Sequence, residues 1–389
     1  MRPRHPAIGK RGTCRERGLT LIEMMVSLSI GMLIILGAMT LLSNTSLSFR
    51  LQDDYARLQD NGTFALRYLG EDLRMAGFMG LYAAETTAAS AAHPVLAGGA
   101  AGGVASDCGG APWALDARLG LIGYGGLTAA AVNGVLACIP AVNFQDGSSV
   151  LVVRRADGVI VNRNAAGQVI NVPGGVLGAN TVYAQSGITT AIAFLGADFA
   201  GLPATDRKYI SGPAGTLDAP VYEYKAHVYY LRPCSRPTGG GGLCQAGDDG
   251  GRPIPTLVRR QLSTDAPLRM IEQPLAEGVE RFVVLFGVDV LGPTGAAGRD
   301  GVAERYVLPD ASGNLPAGQT WDQVVSARVV VLVRSTQPLP GYDDSERAYD
   351  LDGDGVADFI CTAGVDCGFR RQIYSQTYQV RNIAYRRSL

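Results

Sequence analysis

The sequence predicts an α+β protein in which one long N-terminal helical spine packs on a large antiparallel β-sheet domain. Three observations carry this. The stretch from Leu19 to Leu42 is apolar apart from a single carboxylate, Glu23. Behind it, apolar and small residues recur in steps of three and four as far as Ala76. Beyond Gly80, short β-branched runs separated by Gly and Pro turns dominate, which favours antiparallel pairing.

The first half of the spine, 19–48, is long enough to cross a bilayer. The run from Met24 to Phe49 carries no charge. A helix over Leu19–Leu42 spans ~36 Å against a hydrocarbon core of about 30 Å. Arg2, Arg4, Lys10, Arg11, Arg15 and Arg17 precede it, opposed by Glu16 alone. That imbalance predicts a single-pass protein with its N-terminus in the cytoplasm and everything after Leu42 sent outward. An ordinary secretory signal fits poorly: the apolar region is too long, and no A-x-A site follows it cleanly. A plain anchor explains the hydrophobicity and the basic flank. It does not explain Glu23, because a charge at the centre of a span costs roughly 2.5–3.5 kcal/mol on insertion scales.

The second half, 49–80, reads as amphipathic. Leu51, Tyr55, Leu58, Gly62, Ala65, Leu69, Leu73 and Ala76 mark one helical face that should pack on a sheet. Arg50, Asp53, Asp54, Arg57, Asp60, Arg67, Glu71, Asp72 and Arg74 fill the other sides. No proline interrupts Leu19–His93, so both halves form one helix of about 60 residues, ~90 Å long. Gly77 and Gly80 are its stop signals.

The globular domain is expected over 81–389. From Ala83 to Ala111 the chain is rich in Ala, Gly and Ser and reads as a linker or irregular loop. Strands are expected at Ser149–Arg154, Val169–Val172, Thr181–Ala184, Thr189–Phe194, Val221–Leu231, Leu257–Leu262, Val279–Val290, Ser326–Ser335 and Ile373–Arg381. In Val221–Leu231, Tyr and Val alternate with Glu223, Lys225 and His227, the pattern of a half-exposed strand with a solvated His227.

The net charge is −1, but residues 19–389 alone hold 28 basic and 34 acidic residues, or −6. A mildly acidic surface gives no electrostatic reason to bind nucleic acid. Cys14 lies in the basic leader. The other six cysteines, Cys108, Cys138, Cys234, Cys244, Cys361 and Cys367, suit disulfides in an exported domain. Six allow fifteen pairings, of which neighbour pairing (108–138, 234–244, 361–367) is the simplest. A zinc site lacks support, since no C-x-x-C occurs and no histidine has ligand spacing to a cysteine pair. Nor is there a G-x-x-x-x-G-K-[ST], an H-E-x-x-H or a G-x-S-x-G, so the sequence predicts no enzyme.

One stretch has metal-ligand spacing. Asp350, Asp352 and Asp354 occupy positions 1, 3 and 5 of an EF-hand-type loop, with Gly355 at 6, the Val356 carbonyl at 7 and Asp358 at 9. Hard oxygen donors suit Ca²⁺. Cys361 stands at position 12, where the bidentate Glu belongs. The rival reading is an Asp/Gly-rich surface turn that binds nothing.

The residues Arg17-Gly18-Leu19-Thr20-Leu21-Ile22-Glu23 resemble the class III signal of type IV pilins: basic leader, Gly, apolar residue, then Glu at the fifth mature position. Phe64–Phe78, Val279-Glu280-Arg281-Phe282, Phe286-Gly287-Val288-Asp289, Val325–Ser335 and Tyr378-Gln379-Val380-Arg381-Asn382 resemble segments of PilW-type minor pilins. The resemblance implies the type IV pilin fold. It also implies removal of leader 1–18 by a prepilin peptidase between Gly18 and Leu19, and N-methylation of Leu19. Most members begin with Phe, and Leu19 departs from that. Glu23 is then the assembly carboxylate that meets a neighbouring subunit's N-terminal amine. The implied role is to prime type IV pilus assembly and sit at the pilus tip, with adhesion, twitching motility and DNA uptake as family functions. The implied partners are PilV-, PilX-, PilE- and FimU-type minor pilins, a PilY-type tip adhesin and the major pilin. The alternative is a J-type pseudopilin of a type II secretion system, whose globular domain is usually much smaller.

Overall fold

The N-terminal spine is a single helix, α1, running Leu21–Met75 in the computed structural model. The structure describes Gly18 and residues 20–80, 95–97, 104–109, 113–116, 120–173, 175–187, 191–203, 207–212, 215–290 and 300–384. Leader residues 1–17, Leu19, most of the 83–111 linker and the Arg386-Arg387 tail lie outside the described residues. The chain divides into two compact units, Met1–Tyr55 and Ala56–Leu389. In the first, Leu21–Ser43 is a fully exposed apolar span of mean hydropathy 2.3. In the second, the stripe is buried at Leu58, Ala65, Leu69, Leu73 and Ala76. The helix stops where glycine takes over: Gly77 and Gly80 adopt φ of +73° and +75°, a region that costs other residues a Cβ clash.

Among the described residues the strands form two main sheets and two small ribbons. The larger sheet holds β1 (Val95–Ala97), β2 (Leu121–Tyr124), β3 (Val150–Ile160), β4 (Val182–Ser186), β5 (Ala191–Leu195), β8 (Val221–Arg232), β9 (Thr256–Leu262) and β10 (Met270–Glu277). Its order is β1-β5-β4-β8-β3-β2, with β9 on β8 and β10 on β9. All pairs are antiparallel except β1 with β5. The ribbon β6 (Tyr209–Gly212) and β7 (Gly215–Asp218) is inserted before β8. The second sheet is β12-β11-β13-β16, from β11 (Val279–Val288), β12 (Arg305–Val307), β13 (Val324–Arg334) and β16 (Arg371–Gln379). The ribbon β14 (Ala348–Tyr349) with β15 (Phe359–Ile360) lies between β13 and β16 in sequence. The type IV pilin arrangement of helical spine and antiparallel β-domain is therefore present, with the β-domain split into two sheets.

Three cores result. One lies on the face of the larger sheet away from α1 and gathers Leu127, Ile139, Phe144, Val152, Val228 and Tyr230. A second joins the helix stripe to both sheets through Leu151, Tyr229, Leu257, Phe282, Phe286, Val329 and Val331. A third covers the opposite face of the second sheet with Tyr349, Leu351, Phe359, Cys361 and Cys367. Strand β13 is thus buried on both faces, which explains its nearly continuous apolar sequence.

The same burial corrects the expectation for β8. Its polar alternation predicts one solvated face, yet that face continues into Tyr229 and Leu231 beneath α1, and His227 is only 3% exposed. Of Val169–Val172, Val169 makes an isolated antiparallel bridge with Arg163, and no strand forms there. Strand β10 goes unpredicted because Pro274 interrupts it; it is an edge strand with its register shift at Pro274/Ala276.

Two glycines set how closely α1 meets β16. A Cβ on Gly62 would lie 2.5 Å from the Tyr374 ring, and one on Gly70 would lie 2.1 Å from the Tyr378 ring. The bare backbone lets Tyr378 donate its hydroxyl to the Leu66 carbonyl at 2.5 Å.

Candidate functional site

Helix α1 carries two carboxylates whose surroundings differ completely. Glu23 sits in the first turn among exposed Leu21, Ile22 and Met24. Thr20 caps that turn: its Oγ1 accepts the Glu23 N–H at 3.4 Å, and its hydroxyl lies 3.5 Å from Glu23 Oε2. The T-x-x-E spacing is that of a capping box, so Glu23 stabilises its own helix end as well as presenting a charge. No cation of the described residues pairs with it. Gly18 is exposed just upstream, and Leu19 lies outside the described residues.

Asp72 lies in the other unit and is 4% exposed, against the expectation that it belongs to the solvated side of the helix. The reason is long-range. The Arg155 Nε and Nη2 atoms from β3 both lie 2.8 Å from Asp72 Oδ1. From β8, His227 Nδ1 and the Tyr229 hydroxyl both reach Asp72 Oδ2. Burial alone would push the Asp72 carboxyl up. His227, Arg155 and Tyr229 outweigh it and hold the group far below the ordinary carboxylate range. Burial pushes His227 down more than Asp72 raises it, and Arg259 and Arg155 add to the lowering. In the neutral form that burial favours, the ring donates its Nδ1–H to Asp72, because an ionised carboxylate only accepts. The cluster clamps α1 to the larger sheet.

A second buried network fixes the chain between β13 and β16. Arg371 grips Glu280 with Nε at 2.5 Å and Nη2 at 3.1 Å, and Arg334 Nη1 reaches Glu280 at 3.2 Å. Arg371 Nη1 also donates to Asp344 at 3.3 Å, and Tyr349 donates to Asp344 at 2.8 Å. Three disulfides are formed, Cys108–Cys138, Cys234–Cys244 and Cys361–Cys367, which is the pairing of sequence neighbours. The last closes the short turn that follows the acidic loop.

In that loop, oxygens of Asp350, Asp352 and Asp358 lie within 4.8 Å of one another; Asp354 is outside the group. Asp350 accepts the N–H groups of Gly353 (2.6 Å) and Gly355 (2.9 Å), and Asp358 accepts that of Leu351 (2.7 Å). Asp354 accepts the Val356 N–H at 2.7 Å. Burial, and then Asp358, Asp354 and Asp350, push the Asp352 carboxyl up. The side chains point to one place, and the backbone already occupies part of their capacity.

A prokaryotic N-terminal methylation motif matches residues 13–39, the stretch that holds Gly18, Leu19 and Glu23. The family described as type IV pilus-assembly protein W matches residues 243–382. Both matches point to a type IV minor pilin of the PilW type. The PilW match begins beside Cys244 and takes in β9 to β16, so it holds the Glu280–Arg371 network and the acidic loop. Asp72 and His227 fall outside both matched stretches. Neither a curated protein nor a solved structure is significantly similar to the chain. The matched pilus domain is a structural one, and the apolar N-terminal helix of a minor pilin serves as a membrane anchor.

Proposed function

We propose that this minor pilin primes type IV pilus assembly from the inner membrane, with its globular unit periplasmic, and then occupies the pilus tip. Its partners are the PilV-, PilX-, PilE- and FimU-type minor pilins, a PilY-type adhesin and the major pilin, after cleavage by the prepilin peptidase. Its role is assembly rather than catalysis. The observation that carries this reading is Glu23, a lone carboxylate on a 23-residue apolar span without a cation beside it in the described chain. In a membrane such a charge needs a partner from outside its own chain. A neighbouring subunit's N-terminal amine supplies one. The PilW match favours this over a type II secretion pseudopilin.

The test is Glu23→Ala in cells, scored by processing, membrane insertion and recovery in sheared pili. Processing and insertion persist while recovery falls to background. Wild-type recovery with normal piliation would sink the assembly role. Gly18→Ala reports on the separate cleavage step and leaves the longer, unprocessed form in the membrane.

A second reading concerns the Asp350–Asp358 loop, taken as a Ca²⁺-binding turn that stiffens this C-terminal loop. The convergent carboxylates and the D-x-D-x-D-G spacing support it. Calorimetry should show binding that Asp352→Ala with Asp354→Ala removes; no heat with millimolar Ca²⁺ would leave a plain turn.

A further inference from the structure

A different acidic cluster sits where β11 gives way to β12. Asp289 directly follows β11, and Glu304 directly precedes β12. An oxygen from each of Asp289, Asp300 and Glu304 lies within 4.8 Å of the other two. The backbone shapes this neck. Asp289 Oδ2 accepts the Gly301 N–H at 2.7 Å, and Glu304 Oε2 accepts the Val290 N–H at 2.9 Å. The Glu304 N–H donates to the Val288 carbonyl at 3.1 Å.

What separates this cluster from an ordinary acidic surface is Asp289. It is 1% exposed, and its Oδ1 has no hydrogen-bond partner. A buried carboxylate oxygen without a donor keeps the full cost of lost hydration. No Lys or Arg of the described residues pairs with any of the three carboxylates. Three negative charges at one point, one of them dehydrated, demand a positive charge that the described chain does not supply.

We propose that Asp289, Asp300 and Glu304 hold a calcium ion that ties the end of β11 to the start of β12. Oxygens 2.3–2.6 Å from one cation stand at most about 5 Å apart, and these three meet that limit. The donors are all carboxylate, with no histidine or cysteine, which selects a hard cation over a transition metal. Asp300 and Glu304 are exposed, so the ion keeps waters and the geometry is open. That suits calcium, which accepts irregular shells, better than magnesium, which demands an octahedron. The ion would fix the three-residue edge strand β12, whose partner among the described strands is β11.

The test uses the full chain in detergent micelles, freed of metal, titrated with CaCl2. The Asp352→Ala/Asp354→Ala background removes the other acidic loop. In that background, calorimetry should still show one binding event, and Tm should rise with Ca²⁺. Asp289→Asn should abolish both signals, and Glu304→Gln should weaken binding at least tenfold. Should Asp289→Asn fail to fold, Asp300→Asn with Glu304→Gln decides, since both side chains are exposed. No heat and no Tm change at millimolar Ca²⁺ in a folded background protein would overturn the site. So would binding that survives Asp300→Asn with Glu304→Gln.

Discussion

Glu23 and Asp72 lie on the same helix and share the same ionised group, yet the chain treats them oppositely. Asp72 is enclosed by Arg155, His227 and Tyr229, so its charge is answered within its own unit. Among the described residues, the Glu23 carboxylate is met by Thr20 alone. A carboxylate satisfied at home fixes a fold, whereas one left exposed on an apolar span is free to specify a neighbour. The glycines repeat the contrast. Gly62 and Gly70 admit tyrosine rings against the helix backbone, while Gly31 and Gly37 have nothing within 4 Å.

The comparison breaks most visibly at Asp72. Asp72→Ala should destabilise the globular unit by about 3–5 kcal/mol, because it leaves the Arg155 guanidinium without its main partner in a largely buried place. Urea unfolding followed by tryptophan fluorescence measures this; a loss under about 1 kcal/mol would mean that the cluster does not clamp the helix.

Gly70→Ala comes next. Its Cβ would overlap the Tyr378 ring, so a net loss of about 1–3 kcal/mol is expected despite better helix propensity. Gly37→Ala, with open space around it, should cost nothing by the same assay.

Acid should act through the Asp72 cluster. The His227 pKa is lowered on folding, so the unfolded chain takes up a proton that the folded chain refuses. This contribution is fully present above the unfolded value of about 6.5 and is lost as pH falls below it, by at most about 1.4 kcal/mol per pH unit. Asp72, also lowered, adds a similar loss only below about pH 4. Stability measured from pH 7.5 to 5 should decline, and His227→Gln should flatten the curve.

The smallest effect belongs to Glu23. Glu23→Ala should leave unfolding of the globular unit unchanged within about 0.5 kcal/mol, while removing the protein from pili. A stability loss equal to that of Asp72→Ala would erase the distinction.

Local patterns made much of this legible. The apolar span, the helix stripe and its glycine stop lie within one or two turns of themselves. The neighbour-paired cysteines are separated by 30, 10 and 6 residues. The Asp350–Asp358 loop announces itself by spacing within nine residues. What stayed hidden depends on distant partners. His227 meets Asp72 across 155 positions, and Arg155 meets it across 83. Helical periodicity marks Asp72 only as charged, and charge alone reads as solvent-facing. Asp289 is hidden for the same reason, since its burial is a property of the sheet edge and not of its neighbours in sequence.

The tyrosine of β16 that reaches the spine has a further consequence, for the order of folding. Tyr378 donates to the Leu66 carbonyl, 312 residues upstream. The helix therefore cannot finish docking until nearly all of the globular unit has emerged. Pairings of such range close large loops before they return any contact energy, which slows folding. During synthesis the stripe from Leu58 to Ala76 must wait, exposed, for the strand that covers one side of it. A ribosome halted before β16 would leave an anchored chain with an open seam, a natural point for quality-control proteases to act.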